Sequence, residues 1–492
     1  MIDEKLRARI AHAARGLAIG GKRVPGQAMM PSLDPGTGKA FVDVPAGAPA
    51  DIDMAVAAAR IALRGAWAKT APAERGKILR RAADILRRDA HWIGAIETID
   101  SGKPLKDGIA EANAAAAYFD YYAGAADKIE GDTIPQPGDV MSVTLREPIG
   151  VSAQILPSNF PLGTAARGVA PALAAGCAIV AKPSDHTPMT ALILADVFDE
   201  AGLPAGIYNA VTGRGGEAGA ALATHTGVDQ ITFTGSLATG RRILAAAAAN
   251  VVPAAVELGG KSPLVVLADA DLDAAAAVTA KQMFTHAGQV CSAPSLLILE
   301  KPIADALLDK LVARVRGLTV DHGLRDANLG AIASAGQVAH IERMVSDARE
   351  AGAELLTGGA RPEIAGCPDG LYYAPTVLVA SGAAQPIVRE EVFGPVLTVL
   401  IAKDADEAFA LADAGQYGLC ASVFTNDLGR AFEFQRRVSA GQIYVNDWHL
   451  GGVQAPFGGV KRSGIGRERG LAGLEKYLRL KNVNIRPRAL QP

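Results

Sequence analysis

The stretch Val151-Ser152-Ala153-Gln154-Ile155-Leu156-Pro157-Ser158-Asn159-Phe160-Pro161-Leu162 decides the fold. Residues 151–156 form a short apolar run of strand length, and Pro157 and Pro161 stiffen the loop around Asn159. Similar runs recur at 178–181, 208–211, 230–233 and 254–257, with helical stretches between them. Short strands alternating with helices predict βαβ units and a parallel sheet. A second alternating region begins at Ser262 and continues to about residue 402, so the spacing predicts two α/β domains in series.

Upstream the texture is helical. Leu6, Ile10, Ala13, Ala14 and Leu17 fall at helical spacing, and Gly20-Gly21 is expected to end that helix. Ala-rich helices are expected over 52–63, 75–88, 92–100 and 108–123, punctuated by Pro72, Ser101-Gly102-Lys103-Pro104 and Gly124. The alanine runs at 245–249 and 274–277 express helix propensity, and no internal repeat is visible.

Composition excludes several function classes. Lys+Arg 49 against Asp+Glu 51 gives a net charge of −2, which provides no basic field for a nucleic-acid backbone. Hydrophobic residues at 49% with 20% charged is globular composition, and no apolar stretch is long enough to span a membrane. Met1-Ile2-Asp3-Glu4-Lys5 places acids where an export signal needs positive charge. The four cysteines, Cys177, Cys291, Cys367 and Cys420, are too scattered for a disulfide framework and form no CxxC pair. A reducing cytoplasm and no metal site are expected. Cys177, Cys367 and Cys420 read as structural or surface thiols, and Trp67 and Trp92 as packing residues.

Three residues carry candidate chemistry. Cys291 lies in His286-Ala287-Gly288-Gln289-Val290-Cys291-Ser292-Ala293, between a helix-like run at 274–284 and a strand-like run at 295–299. A thiol at such a junction can face a cleft, where a nearby helix N-terminus would lower its pKa from about 8.5. The alternative is a small buried hydrophobe. Glu257 ends an apolar run before Leu258-Gly259-Gly260-Lys261. It reads equally as a partly desolvated general base or as a strand-end partner of Lys261. Asn159 can donate to an oxyanion or serve only as a turn residue.

Two turns suit a dinucleotide. Gly213-Arg214-Gly215-Gly216-Glu217-Ala218 fits GxGxxA after a strand, and Phe233-Thr234-Gly235-Ser236-Leu237-Ala238-Thr239-Gly240 opens another helix. Either can present backbone N–H groups to a pyrophosphate. Lys182-Pro183-Ser184-Asp185 leaves a strand end, where Asp185 would accept from ribose hydroxyls and repel a 2′-phosphate.

Seven blocks in order resemble the aldehyde dehydrogenase superfamily: 157–162, 182–185, 233–236, Glu257-Leu258-Gly259-Gly260-Lys261-Ser262-Pro263, Gly288-Gln289-Val290-Cys291, Glu390-Glu391-Val392-Phe393-Gly394-Pro395-Val396 and Pro456-Phe457-Gly458-Gly459-Val460-Lys461-Arg462-Ser463-Gly464. The resemblance extends over about residues 30 to 485. It implies an α/β fold with a Rossmann-like cofactor domain (1–124 and 147–256), an α/β catalytic domain (257–460) and a small β oligomerisation segment (125–146 and 474–492). It implies a homo-oligomer, dimer or tetramer, that oxidises a small-molecule aldehyde with NAD, NADP remaining open.

By the same resemblance Cys291 is the nucleophile, Glu257 the general base, and Asn159 with the Cys291 backbone N–H the oxyanion hole. Lys182, Asp185, Gly215, Gly235 and Ser236 fall on the adenosine and pyrophosphate side, Glu391 and Phe393 on the nicotinamide-ribose side. Ile155, Phe233, Gly240 and Leu258 complete the cofactor set. Glu257 favours the class that hydrolyses its thioester over one that passes the acyl group to coenzyme A. Two positions depart from the family pattern. Ser158 stands where an aromatic residue is common, and Asp185 where NAD-preferring members usually carry Glu.

For the substrate, Arg167 stands where many alkanal-oxidising members have Trp. Its donor fork is expected to meet a carboxylate, hydroxyl or ring of the substrate, or else to be salt-bridged at the tunnel rim. Thr164 and Gly451 would leave width, and Trp448 or Phe457 could stack on a ring. The expectation is an aromatic or otherwise bulky, polar aldehyde. The alternative is a carboxylate-bearing semialdehyde, against which Thr285 stands where such members tend to carry a second Arg. His286 invites a non-redox cysteine hydrolase, and a catalytically idle structural member is a further alternative. The charged residues Arg462, Arg467, Glu468 and Arg469 are expected on a solvated or interface face, with Glu468 at a family position near the water path.

Overall fold

A computed structural model of the chain describes residues 3–487. Residues 488–492 of the expected oligomerisation segment lie outside the described residues.

Five parallel strands form the centre of the first sheet. Their order across it is Tyr208–Ala210, Ala178–Lys182, Val151–Ile155, Gln230–Gly235 and Ala254–Leu258. In chain order the strand order is 3-2-1-4-5, so direction of travel reverses between Val151–Ile155 and Gln230–Gly235. At such a switch point the loops leaving the two strands part and open a crevice at their carboxyl ends. Val151–Ile155 and Ala178–Lys182 are buried at every position, which is why each reads as one continuous run with little alternation.

One expectation at the N-terminus fails. The helix Glu4–Ala13 stops before Leu17, which begins the strand Leu17–Ile19. Gly20 and Gly21, at φ of 63° and 76°, turn a hairpin onto the strand Lys22–Val24 and do not end the helix. Their positive φ at both central positions is what a tight two-residue hairpin needs. Leu17, Ala18 and Ile19 are all buried at the sheet edge, so an apolar run that fits helical spacing is in fact a strand. The antiparallel pair Ala28–Asp34 and Lys39–Ala46 escaped the sequence reading. Its inward positions include Ser32 and Asp34, which bond Asp100 (2.6 Å) and His322 (3.0 Å), so polar residues stand where apolar ones would mark the pattern.

The strand Ala254–Leu258 ends the parallel run of the first sheet, and after residues 259–262 the strand Pro263–Val266 enters the second. The second sheet has the order Glu354–Thr357, Thr376–Val379, Val396–Ala402, Leu296–Glu300, Pro263–Val266, Cys420–Phe424 and Gln442–Val445. A third sheet pairs Leu478–Ile485 with Met141–Pro148 and that strand with Thr133–Ile134. Among the described residues no helix is long and apolar enough to cross a membrane.

The helix Pro161–Ala175 fills the crevice side of the first sheet. Pro161 starts it without wasting an N–H, and Gly176, at φ of 98°, ends it. Its first-turn N–H groups are met from outside. Glu97 accepts from Leu162 (3.1 Å) and Glu111 from Gly163 (2.8 Å). Both carboxylates pair with Lys103, which is fully buried, 3.1 Å from Glu97 and in contact with Glu111. Lys103→Met leaves two buried carboxylates without a cation. Chemical denaturation is expected to show a loss of about 3 to 5 kcal/mol, and an unchanged midpoint would contradict this role.

Candidate active site

A cavity of about 1320 Å³ lies between the two large sheets, and Cys291, Glu257 and Asn159 all line it. Cys291 follows a turn in which His286, Ala287 and Gly288 have φ of 49°, 52° and 70°. A Cβ at Gly288 would stand 2.1 Å from the Gly394 carbonyl, so only glycine lets this turn close against the neighbouring loop. Cys291 is half-buried. Burial pushes its thiol up to about 11; Arg167 opposes this, while Glu391 and Glu257 add to it. The expectation of a pKa lowered by a helix N-terminus is therefore corrected for the free protein. Desolvation and two neighbouring carboxylates outweigh the two nearby cations, Arg167 and Arg469.

Asn159 sits in the loop between Val151–Ile155 and Pro161–Ala175, and its Nδ2 donates to the Gln289 carbonyl at 2.8 Å. This holds its amide beside the Cys291 turn, and one of the two amide hydrogens is used. Glu257 is 2% exposed, and neither carboxylate oxygen has a side-chain hydrogen-bond partner among the described residues. Burial and the nearby Glu468 hold it well above the usual carboxylate value, against the pull of Arg167 and Lys476. Lys261 is not its partner. It donates to Thr398 at 3.1 Å, and burial brings it down to about 7 against the opposing field of Glu391.

On the cofactor side Ile155, Lys182, Asp185, Gly215, Phe233, Gly235, Ser236, Leu258, Glu391 and Phe393 line the cavity. Lys182 is buried and held below its usual value by that burial, with Asp185 working to restore its charge. Ser236 caps the helix Leu237–Asn250 by accepting from the Thr239 N–H at 3.3 Å, which aims that helix's N-terminus at the cleft. Around Gly215 and Gly216 a Cβ would meet nothing within 4 Å, so this turn is open. Glu391 has a buried, unpartnered Oε1, and burial raises its carboxyl to about 8. A basic group, a ribose-sized acceptor, a helix N-terminus and an orphaned carboxylate along one cleft fit a dinucleotide. Gly240 does not line the cavity. A Cβ there would stand 2.5 Å from Leu258, so it lets helix and strand pack closely.

On the substrate side Thr164, Arg167 and Phe457 line the cavity, together with Tyr118, Phe160, Thr285, His449 and Arg469. Arg167 is buried and paired with Glu468, and its guanidinium lies 5.3 Å from the Phe457 ring centroid. Its Nε is committed to a protein carboxylate, and its Nη2 donates to the Thr234 hydroxyl at 3.5 Å. Two expected lining residues are displaced. Trp448 is buried, with its indole N–H donating to the Ser292 carbonyl at 3.0 Å and its ring packed on Tyr444. A buried indole N–H needs such a partner, which fixes the ring away from the cavity. Gly451 stands in an exposed turn at φ of 105°, and the residue of its loop that reaches the cavity is His449, 2.8 Å from the Ser292 hydroxyl.

Sequence reasoning missed Tyr118, His449 and Arg469, because no local pattern marks side chains brought together from positions hundreds of residues apart. His286 does not pair with Cys291. Its ring is buried edge-on to Phe160 at 5.6 Å, and burial drives it toward the neutral form. The expectation of a solvated charged face fails for Glu468, which is 1% exposed and pairs with Arg167 and with Lys476 (3.3 Å).

Residues 24–483 match the aldehyde dehydrogenase family. Betaine aldehyde dehydrogenase of Bacillus subtilis is 42% identical over 463 residues, 93% of this chain and 94% of that protein. Peroxisomal aminoaldehyde dehydrogenase 1 of Pisum sativum is 41% identical, with 96% of each chain covered. A crystal structure of betaine aldehyde dehydrogenase from Staphylococcus aureus with NAD+ superposes with a TM-score of 0.96 at 36% identity, covering 99% of this chain and 98% of that one. An aldehyde dehydrogenase from Bacillus cereus superposes equally well at 34% identity, with 99% of each chain covered. With this cleft and these relatives, the chain belongs to the aldehyde dehydrogenase family and is an NAD-dependent oxidoreductase.

Proposed function

We propose that the protein oxidises an aromatic or otherwise bulky, polar aldehyde to its carboxylic acid through a covalent intermediate on Cys291. The convergence of Cys291, Asn159 and an unpartnered Glu257 on one cavity carries this reading. The rings of Tyr118, Phe160 and Phe457 beside Thr164 and Thr285 support a ring-sized, polar substrate. The relatives named for betaine aldehyde and aminoaldehydes favour a second reading, a cationic aldehyde, for which Asp107 on the cavity wall is the available carboxylate.

In the proposed sequence Cys291 gives its proton to water, with Arg167 and Arg469 favouring the thiolate. Sulfur adds to the aldehyde carbon, and the carbonyl oxygen takes the negative charge. The remaining Asn159 N–H and the Cys291 backbone N–H hold that oxygen. NAD+, when bound, supplies the acceptor for the hydride that this carbon gives up. Lys182, Asp185, the helix N-terminus at Ser236, Glu391 and Phe393 are the groups that would hold it. Asp185 favours the unphosphorylated ribose. Cys291 is left as a thioester. Ionised Glu257 then takes a proton from water, the hydroxide adds to the acyl carbon, and the C–S bond breaks to release the acid and restore the thiol.

A homo-oligomer, dimer or tetramer, is part of this proposal. Its support is the third sheet, where Met141, Leu145, Leu480 and Ile485 are exposed apolar residues. Four unpaired cysteines suit a reducing compartment such as the cytoplasm.

Two experiments test the chemistry. Glu257→Gln is expected to release a burst of one equivalent of reduced nicotinamide per site and then stall as the acyl-enzyme; full turnover would remove Glu257 from the hydrolytic step. A base must be ionised to act, so a raised Glu257 pKa moves the rising limb of deacylation to higher pH than an ordinary carboxylate gives. For the free protein, the rate of Cys291 alkylation by iodoacetamide is expected to climb by about tenfold per pH unit from neutrality toward pH about 11. A plateau near neutrality would show a preformed thiolate.

A further inference from the structure

The charged run at 462–469 splits where it reaches the cavity. Glu468 pairs through its backbone with Phe457, each N–H donating to the other's carbonyl at 2.6 Å. The next residue, Arg469, takes a left-handed φ of 59°, a conformation that favours glycine. Its carbonyl is held by the Gly473 N–H at 2.9 Å. The turn sends the neighbouring side chains apart, Glu468 to Arg167 and Lys476, and Arg469 to the cavity wall.

Two guanidinium groups therefore lie against the Phe457 ring, Arg167 at 5.3 Å and Arg469 at 4.7 Å. The charge of Arg167 is answered by Glu468. Arg469 has no carboxylate partner among the described residues, and its Nε is buried without a hydrogen bond. Its field reaches Cys291 and His449. Asp107, on the cavity wall, already lies in the fields of Lys103 and Lys106. Glu468 lies in the field of Arg469 but pairs elsewhere, so a partly desolvated fork with no ion pair among the described residues stands beside the reacting thiol, a ready donor site for a planar anion.

We propose that Arg469 sets substrate choice, and that the tunnel takes an aldehyde carrying a carboxylate, whose oxygens accept from the Arg469 guanidinium while the aldehyde carbon lies at Cys291. This rests on Cys291 as the nucleophile. It reassigns to Arg469 the clamp that the sequence places at Arg167. A guanidinium already stacked on Phe457 also repels an ammonium-bearing aldehyde from that ring.

The test compares kcat/KM within matched pairs, 4-carboxybenzaldehyde against 4-methylbenzaldehyde and succinate semialdehyde against butanal, with betaine aldehyde as the cationic arm. The wild-type protein is expected to favour the carboxylate in at least one pair by about tenfold or more, through KM. Arg469→Leu, with thermal melting as the folding check, is expected to bring that ratio close to one, and Arg469→Lys to restore part of it. Titration calorimetry of Cys291→Ala with terephthalate and succinate gives a readout that needs no turnover. At least one acid is expected to bind about tenfold more weakly once Arg469→Leu is added. An unchanged preference in Arg469→Leu, a wild-type preference for the uncharged partners or for betaine aldehyde, or calorimetry indifferent to Arg469→Leu would overturn the proposal. Turnover that survives Cys291→Ala would instead overturn the covalent mechanism, and the calorimetry would still decide the role of Arg469.

Discussion

Two buried carboxylates, Glu257 and Glu468, lie in the field of two cations, Arg167 and Lys476, and the division of charge among the four sets the chemistry of the cleft. Glu468 takes both ion pairs. Burial opposes its charge, but Arg167 and Lys476 hold its carboxyl below the usual value. Glu257 forms no ion pair among the described residues, so burial and its acidic neighbour push it the other way. Two like charges so placed do not both ionise easily, and the neutral form is favoured on the one without an ion pair. Burial thus favours the neutral form of both the Glu257 carboxyl and the Cys291 thiol in the free protein. The pairing also answers the charge of Arg167, whereas Arg469, which lines the same cavity, has no ion pair among the described residues.

Backbone crowding holds this arrangement in place. A Cβ at Gly259 would stand 1.6 Å from a Glu391 oxygen, and one at Gly458 would stand 2.7 Å from Glu257. Both glycines let the chain pass closely by a carboxylate, one on the cofactor side and one on the hydrolytic side. Residues 259–262 join the two sheets, so the strand that carries Glu257 also fixes where the second sheet begins. Lys103 does the corresponding work for Asn159. It holds the two carboxylates that cap the helix Pro161–Ala175, directly after the Asn159 loop.

The parts legible in the sequence are those written in local pattern. Val151–Ile155, Ala178–Lys182 and Ala254–Leu258 are covered by chain on both faces, so each reads as a compact apolar run. The carboxyl ends of these strands and the loops after them carry Asn159, Lys182 and Glu257, and all three line the cavity. Local reading failed where the deciding contact is distant. Leu17 fits helical spacing, yet it begins a strand because Ala18 pairs with Ala210 on one side and Arg23 on the other. The partner of Arg167 is Glu468, about three hundred residues on, and Trp448 is turned away by the carbonyl of Ser292. Arg469 reads as one more surface charge until its left-handed turn is seen.

The division of protons between Glu257 and Glu468 is tested most directly by infrared difference spectroscopy of the free protein at neutral pH, wild type minus Glu257→Gln. A protonated carboxyl stretch that disappears with Glu257 is the expected result, since burial and the nearby Glu468 both favour its neutral form. A difference spectrum containing only ionised carboxylate bands would contradict it, and would mean that Glu257 is already charged before substrate arrives.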